Sequence, residues 1–222
     1  MRTRLSDRIL PSYTKGEEIF NMVSHIVGGA LGIAYLVLCV IVAAFHKSAI
    51  GVVSSCIYGV SVISLFTMSS IYHGLHDSTA KRVFQVIDHC TIYFMIAGTY
   101  TPVALCAIRR LSPAKGWIIF GLIWAIAAIA VTFTAIDLNK YKVFSMICYI
   151  GMGWLVVFFW PITYRAIGFG GAVFLVLGGI LYTIGAILYS HGKKKAYIHS
   201  IFHLFVNAAS LLHFFCILFY VL

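Results

Sequence analysis

The sequence predicts an all-α membrane protein, a bundle of seven transmembrane helices with a cytoplasmic N-terminus and an external C-terminus. Three observations predict it. Of the 222 residues, 62% are hydrophobic and 10% charged, where a soluble domain is about half apolar and a quarter charged; mean hydropathy is +0.99. Charged and turn-forming clusters divide the chain into seven apolar segments, each long enough for a helix across a hydrocarbon core of about 30 Å. Finally, Lys and Arg are unevenly shared between the two sets of loops. Arg2, Arg4, Arg8, Lys15, Lys81, Arg82, Lys140, Lys142, Lys193, Lys194 and Lys195 fall on the N-terminal side; Lys47, Arg109, Arg110, Lys115 and Arg165 fall on the other. The richer side is cytoplasmic by the positive-inside rule.

Residues 1–18 form a short polar tail of mixed charge, and 19–222 a single transmembrane domain. Segment 19–45 is too long for a signal-peptide core and is expected to stay as an anchor; its Gly28, Gly29 and Gly32 allow close helix approach. Segment 49–75 runs inward and ends in "SSIYHGLHD". Segment 82–107 holds "VFQVIDHCTIYF" and Pro102, which is expected to kink it. Segment 114–136 is apolar and stops before Asp137, and 142–163 holds Pro161, a second expected kink. Segment 168–190 carries Gly178 and Gly179, and 196–221 contains "HSIFHLFVNAASLLHFF". The loops between segments are short, so the helices must pack as a compact bundle. The six cysteines all lie in apolar segments without a CxxC pair and read as small buried hydrophobes. The net charge of +10 is scattered between spans. That pattern belongs to membrane topology rather than to nucleic-acid binding, so membrane lipids are the expected partners.

In this topology the costly polar groups gather at the cytoplasmic end. Helix 2 ends there with Ser69, His73 and His76, and helix 4 with Asp137 near its tip. Helix 3 starts there, with Asp88 and His89 roughly 9 Å below Arg82. Helix 7 starts there with His199 and, about 6 Å deeper on the same face, His203. Helix 1 adds Glu18, Asn21, Ser24 and His25. An ionised Asp at mid-membrane costs roughly 2.5–3.5 kcal/mol, and a shared site explains such costs better than unrelated ones. His73, His199 and His203 make a suitable set for Zn²⁺, with water in the fourth position. Asp88 can serve as general base and Ser69 can orient the water or Asp88. Glu18 and Asn21 are open between capping helix 1 and joining the site, and His25, His76 and His89 have no assigned role. His46, in a loop, His191, at a helix end, and His213, far along helix 7, are left out of the cluster.

"EEIFNMVSHIVGG", "SSIYHGL", "DHCTIYFMIAGTYTP" and "HSIFHLFVNAAS" resemble, in order, the motifs of the bacterial hemolysin III family of the progestin and adipoQ receptor (PAQR) superfamily. The resemblance implies seven helices with the N-terminus inside and zinc near the cytoplasmic face. It implies His73, His199 and His203 as ligands, Asp88 holding the water bound to the metal, and Ser69 at the serine of an SxxxH motif. The wider superfamily is similar to alkaline ceramidases, zinc amidases acting on lipid. Three functions are therefore expected as rivals. One is a zinc-dependent intramembrane hydrolase of a lipid amide or ester. Another is a non-enzymatic sensor or homeostasis factor with structural zinc, and the last is a cytolysin. The short tail before helix 1 departs from the receptor branch.

Overall fold

The computed structural model describes residues 3, 5–191 and 196–222, and only the backbone of Ser6 and His191. Arg2, Arg4, Lys193, Lys194 and Lys195, five of the cations in the topology count, lie outside the described residues. Among those described, all regular structure is helical.

Helix α1 (Lys15–Phe45) begins at a capping box. Thr14 Oγ1 accepts from the Glu17 amide at 3.3 Å and Glu17 Oε2 accepts from the Thr14 amide at 2.9 Å, so two otherwise orphaned donors are satisfied together. After a tight turn in which Lys47 takes φ 51°, Ser48 caps α2 (Ala49–Gly74) by accepting from the Gly51 amide. Ser78 caps α3 (Thr79–Pro102) in the same way through Lys81. At Pro102 the irregularity takes the form of a π-helical segment, Val103–Ile108, before the helix resumes over Arg109–Leu111. Pro113 opens α4 (Pro113–Ile136), where a missing N–H costs nothing.

Pro161 departs from the expected kink. Helix α5 (Lys142–Gly153) gives way to a 3₁₀ stretch, Leu155–Phe159, and Pro161 lies in the first turn of α6 (Trp160–His191). It starts a helix instead of bending one. The run Lys142–Ser190 is 49 residues long, about 74 Å if straight. Yet Trp154 Nε1 donates to Thr183 Oγ1 at 3.0 Å, a residue about 43 Å away along a continuous helix. The run therefore folds back on itself. The reversal falls at Gly168, the non-helical residue inside α6, whose φ of 66° favours glycine. Helix α7 (Ile198–Tyr220) closes the bundle.

Among the described residues, six helical stretches are long and apolar enough to cross a membrane. α1 packs on α2 and α7, α2 on α3, α3 on α4, and α6 on α7. Tyr35, Tyr58, Phe66 and Phe214 anchor the main core, and Tyr93, Ile123 and Met152 a second one between α3, α4 and α5. Outward faces carry Ile26, Val37, Ile118 and Ile129, the apolar surface a bilayer requires. Gly28 is the close approach that matters. A Cβ there would stand 2.5 Å from the Phe66 ring and 2.6 Å from Asn207 Oδ1, whereas Gly29 and Gly179 meet only ordinary contacts. This packing brings the starts of α1, α3 and α7 and the end of α2 to one end of the bundle.

Candidate metal centre

His199 and His203 lie one turn apart on α7, with their Nε2 atoms 2.9 Å apart. His73, in the last turn of α2, completes a buried trio whose ligating nitrogens all lie within 4.8 Å of one another. His73 Nδ1 donates to Glu18 Oε2 at 2.6 Å, and Glu18 Oε1 accepts from Lys81 Nζ at 2.6 Å. The carboxylate is acceptor-only, so the proton is on Nδ1 and Nε2 is free to ligate. Lys81 is held in turn by the Leu75 carbonyl at 2.8 Å. Glu18 thus joins the site, while its neighbour Glu17 does the capping. The sequence carried a signal for this division: "TKGE" is a capping box, which leaves Glu18 spare.

The donors fit a zinc ion. Zn–N bonds of 2.0–2.1 Å at tetrahedral angles place nitrogens about 3.3 Å apart, within the span of the trio. A histidine ligand held by a carboxylate on its other nitrogen is the usual supporting arrangement.

Asp88 and Ser69 stand beside one another next to His73, and Asp88 Oδ2 is 3.8 Å from His89 Nδ1. His89 itself is tied to the Gln85 carbonyl at 2.8 Å and to the Tyr189 hydroxyl at 3.3 Å. Asn21 joins α1 to α7 by accepting from Ser200 Oγ at 2.7 Å. His76 is exposed. His46 lies at the opposite end of the bundle on the Leu222 carbonyl. His25 has no role assigned in the sequence reading, yet its ring is 4.0 Å from that of His203, and neither of its nitrogens has a hydrogen-bond partner among the described residues.

A strap formed by Thr3 and residues 5–14 covers this end. Thr3 N donates to Asp137 Oδ2 at 2.7 Å, Arg82 Nε donates to the Arg8 carbonyl at 3.2 Å, and Tyr13 stacks on His199 at 4.9 Å. Burial pushes the Tyr13 phenol above its ordinary pKa. Asp137 is therefore a clasp for the strap and a cap for α4. It also accepts from the Asn139 and Lys140 amides, and these donors, Thr3 first, lower its pKa to about 2.

Under the strap lies a cavity of about 190 Å³ that Ser69, Asp88, His199 and His203 line. It continues past Ile92, Met95, Phe202 and Val206 to Trp154 and His213. His213, left out of the cluster by its distance, thus shares its cavity at the far end, roughly 21 Å along α7 from His199, bonded to the Leu175 carbonyl at 3.1 Å.

The family model described as "Haemolysin-III related" matches residues 13–214, from Tyr13 to beyond His213. The chain belongs to the haemolysin-III-related family. It is 38% identical over 206 residues to "Hemolysin-3" of Bacillus cereus, covering 93% of this chain and 92% of that protein. With "Hemolysin-3 homolog" of Bacillus subtilis (strain 168) it shares 37% over 208 residues, 94% of this chain and 96% of that one. "Monocyte to macrophage differentiation factor" of Homo sapiens is 30% identical over 173 residues, 74% and 69% of the two chains. Together with the apolar helices, membership makes this haemolysin-III-related chain a multi-pass membrane protein.

Proposed function

We propose that this protein is a zinc-dependent hydrolase, spanning the membrane seven times, that cleaves an amide or ester of a membrane lipid. One observation carries the reading: Ser69, Asp88, His199 and His203 open onto one end of a long apolar cavity. An acyl chain fits its length with the carbonyl at the histidine end. His73, His199 and His203 would hold the ion with one position open. Zinc bound there would supply Lewis-acid polarisation and a lowered pKa for water. Asp88 accepts the proton of the attacking water and returns it to the leaving amine or alcohol. Ser69 orients the Asp88 carboxylate, and Glu18, braced by Lys81, fixes the ring of His73. Tyr13 and the strap exclude bulk water.

The seven spans are supported by the reversal at Gly168, which divides Lys142–Ser190 into two crossings of adequate length. The Lys and Arg bias supports a cytoplasmic N-terminus.

The test is product formation from a panel of lipid amides and esters, with zinc content measured on the same samples. Asp88→Asn is expected to keep zinc while turnover falls about 10²–10⁴-fold. Joint loss of zinc and turnover would instead make Asp88 a ligand, and wild-type protein that cleaves nothing would remove the hydrolase reading. Two observations favour rivals. The partnerless His25 imidazole beside His203 offers a fourth nitrogen that would close a structural site. The printed name of the Bacillus cereus relative favours a cytolysin, which erythrocyte lysis by purified protein would support.

A further inference from the structure

Among the described residues, ten side-chain polar atoms on α1, α2 and α7 are buried without a well-formed hydrogen bond. They are Asn21 Nδ2, both ring nitrogens of His25, Tyr35 OH, Ser54 Oγ, Ser55 Oγ, Tyr58 OH, His203 Nδ1, Asn207 Oδ1 and Ser210 Oγ. Left unpaired, that many groups would cost more than the whole net stability of a domain this size. Buried polar groups of this kind are normally satisfied by ordered water.

Their order along the helices is what points to a function. From His203, Asn207 is one turn deeper on α7, with its Oδ1 facing Gly28 of α1. Ser210 follows three residues later, its hydroxyl within weak hydrogen-bonding reach of Tyr35 of α1 and Tyr182 of α6. Tyr35 neighbours Tyr58 of α2, from which Ser55 and Ser54 lead on towards the far end of the bundle. Steps of three or four residues are about 5–6 Å, the span of two hydrogen bonds of about 2.8 Å through one water. From Asn21 to Tyr35 the column covers about 21 Å, and from Tyr58 to Ser54 about 6 Å more, close to the thickness of a hydrocarbon core. Apolar side chains, among them Val62, Leu65, Phe66 and Phe214, flank it in the buried core.

We propose that the α1–α2–α7 seam holds a single file of water that carries protons between the metal centre and the opposite end of the bundle. Each hydroxyl of Ser210, Tyr35, Tyr58, Ser55 and Ser54 accepts a proton from one neighbouring water and releases its own to the next. One proton is transferred, and no group is oxidised or left charged. The apolar flanks keep the file too narrow for larger solutes. The inference does not depend on hydrolysis, since the column exists whatever the centre does.

Purified wild-type protein in phosphatidylcholine–phosphatidylglycerol vesicles, with a pH dye and radiolabelled sucrose trapped inside, tests it under a potassium diffusion potential set by valinomycin. Proton entry is expected to be severalfold faster than in protein-free vesicles, with sucrose retained. Tyr58→Phe, Tyr35→Phe and Ser210→Ala, each changing one side chain, should return the rate to that of protein-free vesicles. Tyr93→Phe, whose hydroxyl bonds to Thr134 outside the seam, should keep the wild-type rate. Folding of each variant is checked by its melting transition, so two independent seam substitutions remain if one is unstable. Wild-type flux equal to that of empty vesicles would overturn the proposal. So would seam variants that are folded and conduct fully, or sucrose escaping with the protons.

Discussion

Glu18 places one carboxylate between a histidine and a lysine, and that pairing decides which nitrogen of His73 faces the centre. Glu18→Gln keeps a hydrogen-bond acceptor but removes the charge that holds the His73 ring in place. Zinc affinity, read by competition with a chelator, is expected to fall about 10–100-fold. Glu17→Gln, one residue away, should lower the melting temperature through a weakened cap and leave zinc affinity near that of wild type. His73→Ala, His199→Ala and His203→Ala are each expected to lower zinc content, because each removes one of three donors. His213→Ala, same residue type and same helix, should not; elemental analysis giving equal zinc in all four would rule out this ligand set. The paired His199 and His203 were legible because helical spacing is a local property. The ties of Glu18 to His73 and Lys81 were not, since they join positions 55 and 63 residues apart and no local pattern encodes them.

Among the elements, the strap and the broken α5–α6 run were the hardest to read. Proline chemistry explained Pro102 but put a bend at Pro161, where the chain instead begins a helix. Sequence reading puts a boundary between apolar segments at residues 164–167, and the structure puts the reversal at the next residue, Gly168. The strap has no periodicity, and its clasp spans 134 residues from Thr3 to Asp137. That clasp is titratable. Asp137 has its pKa lowered to about 2 against an ordinary value of about 3.9. Its contribution is thus complete above about pH 4 and is lost as pH falls through about 2. Limited proteolysis of the N-terminal segment should accelerate across that window in wild-type protein. Asp137→Asn should show faster cleavage already at neutral pH, and an unchanged wild-type cleavage rate from pH 5 to pH 2 would falsify the clasp.

At the scale of the whole molecule, composition and segment length made the membrane bundle legible, because burial in lipid constrains every outward residue. The cavity was not, since it arises from how α2, α3, α5, α6 and α7 pack around one space. The seven-span reading places the two ends of the chain on opposite sides of the membrane. Single cysteines introduced at each terminus and labelled with an impermeant maleimide in intact cells should react at the C-terminal end alone. Labelling of both from one side would sink the count. The centre also draws Tyr13, Glu18 and His25 from the beginning of the chain and His199 and His203 from its end. During synthesis the first helix is in the bilayer long before the last is translated, so its polar face waits, unmatched, for most of translation. With the proposed ligand set, a ribosome that stalls before residue 203 would leave a product without its third donor, and metal content would separate that product from one translated through α7.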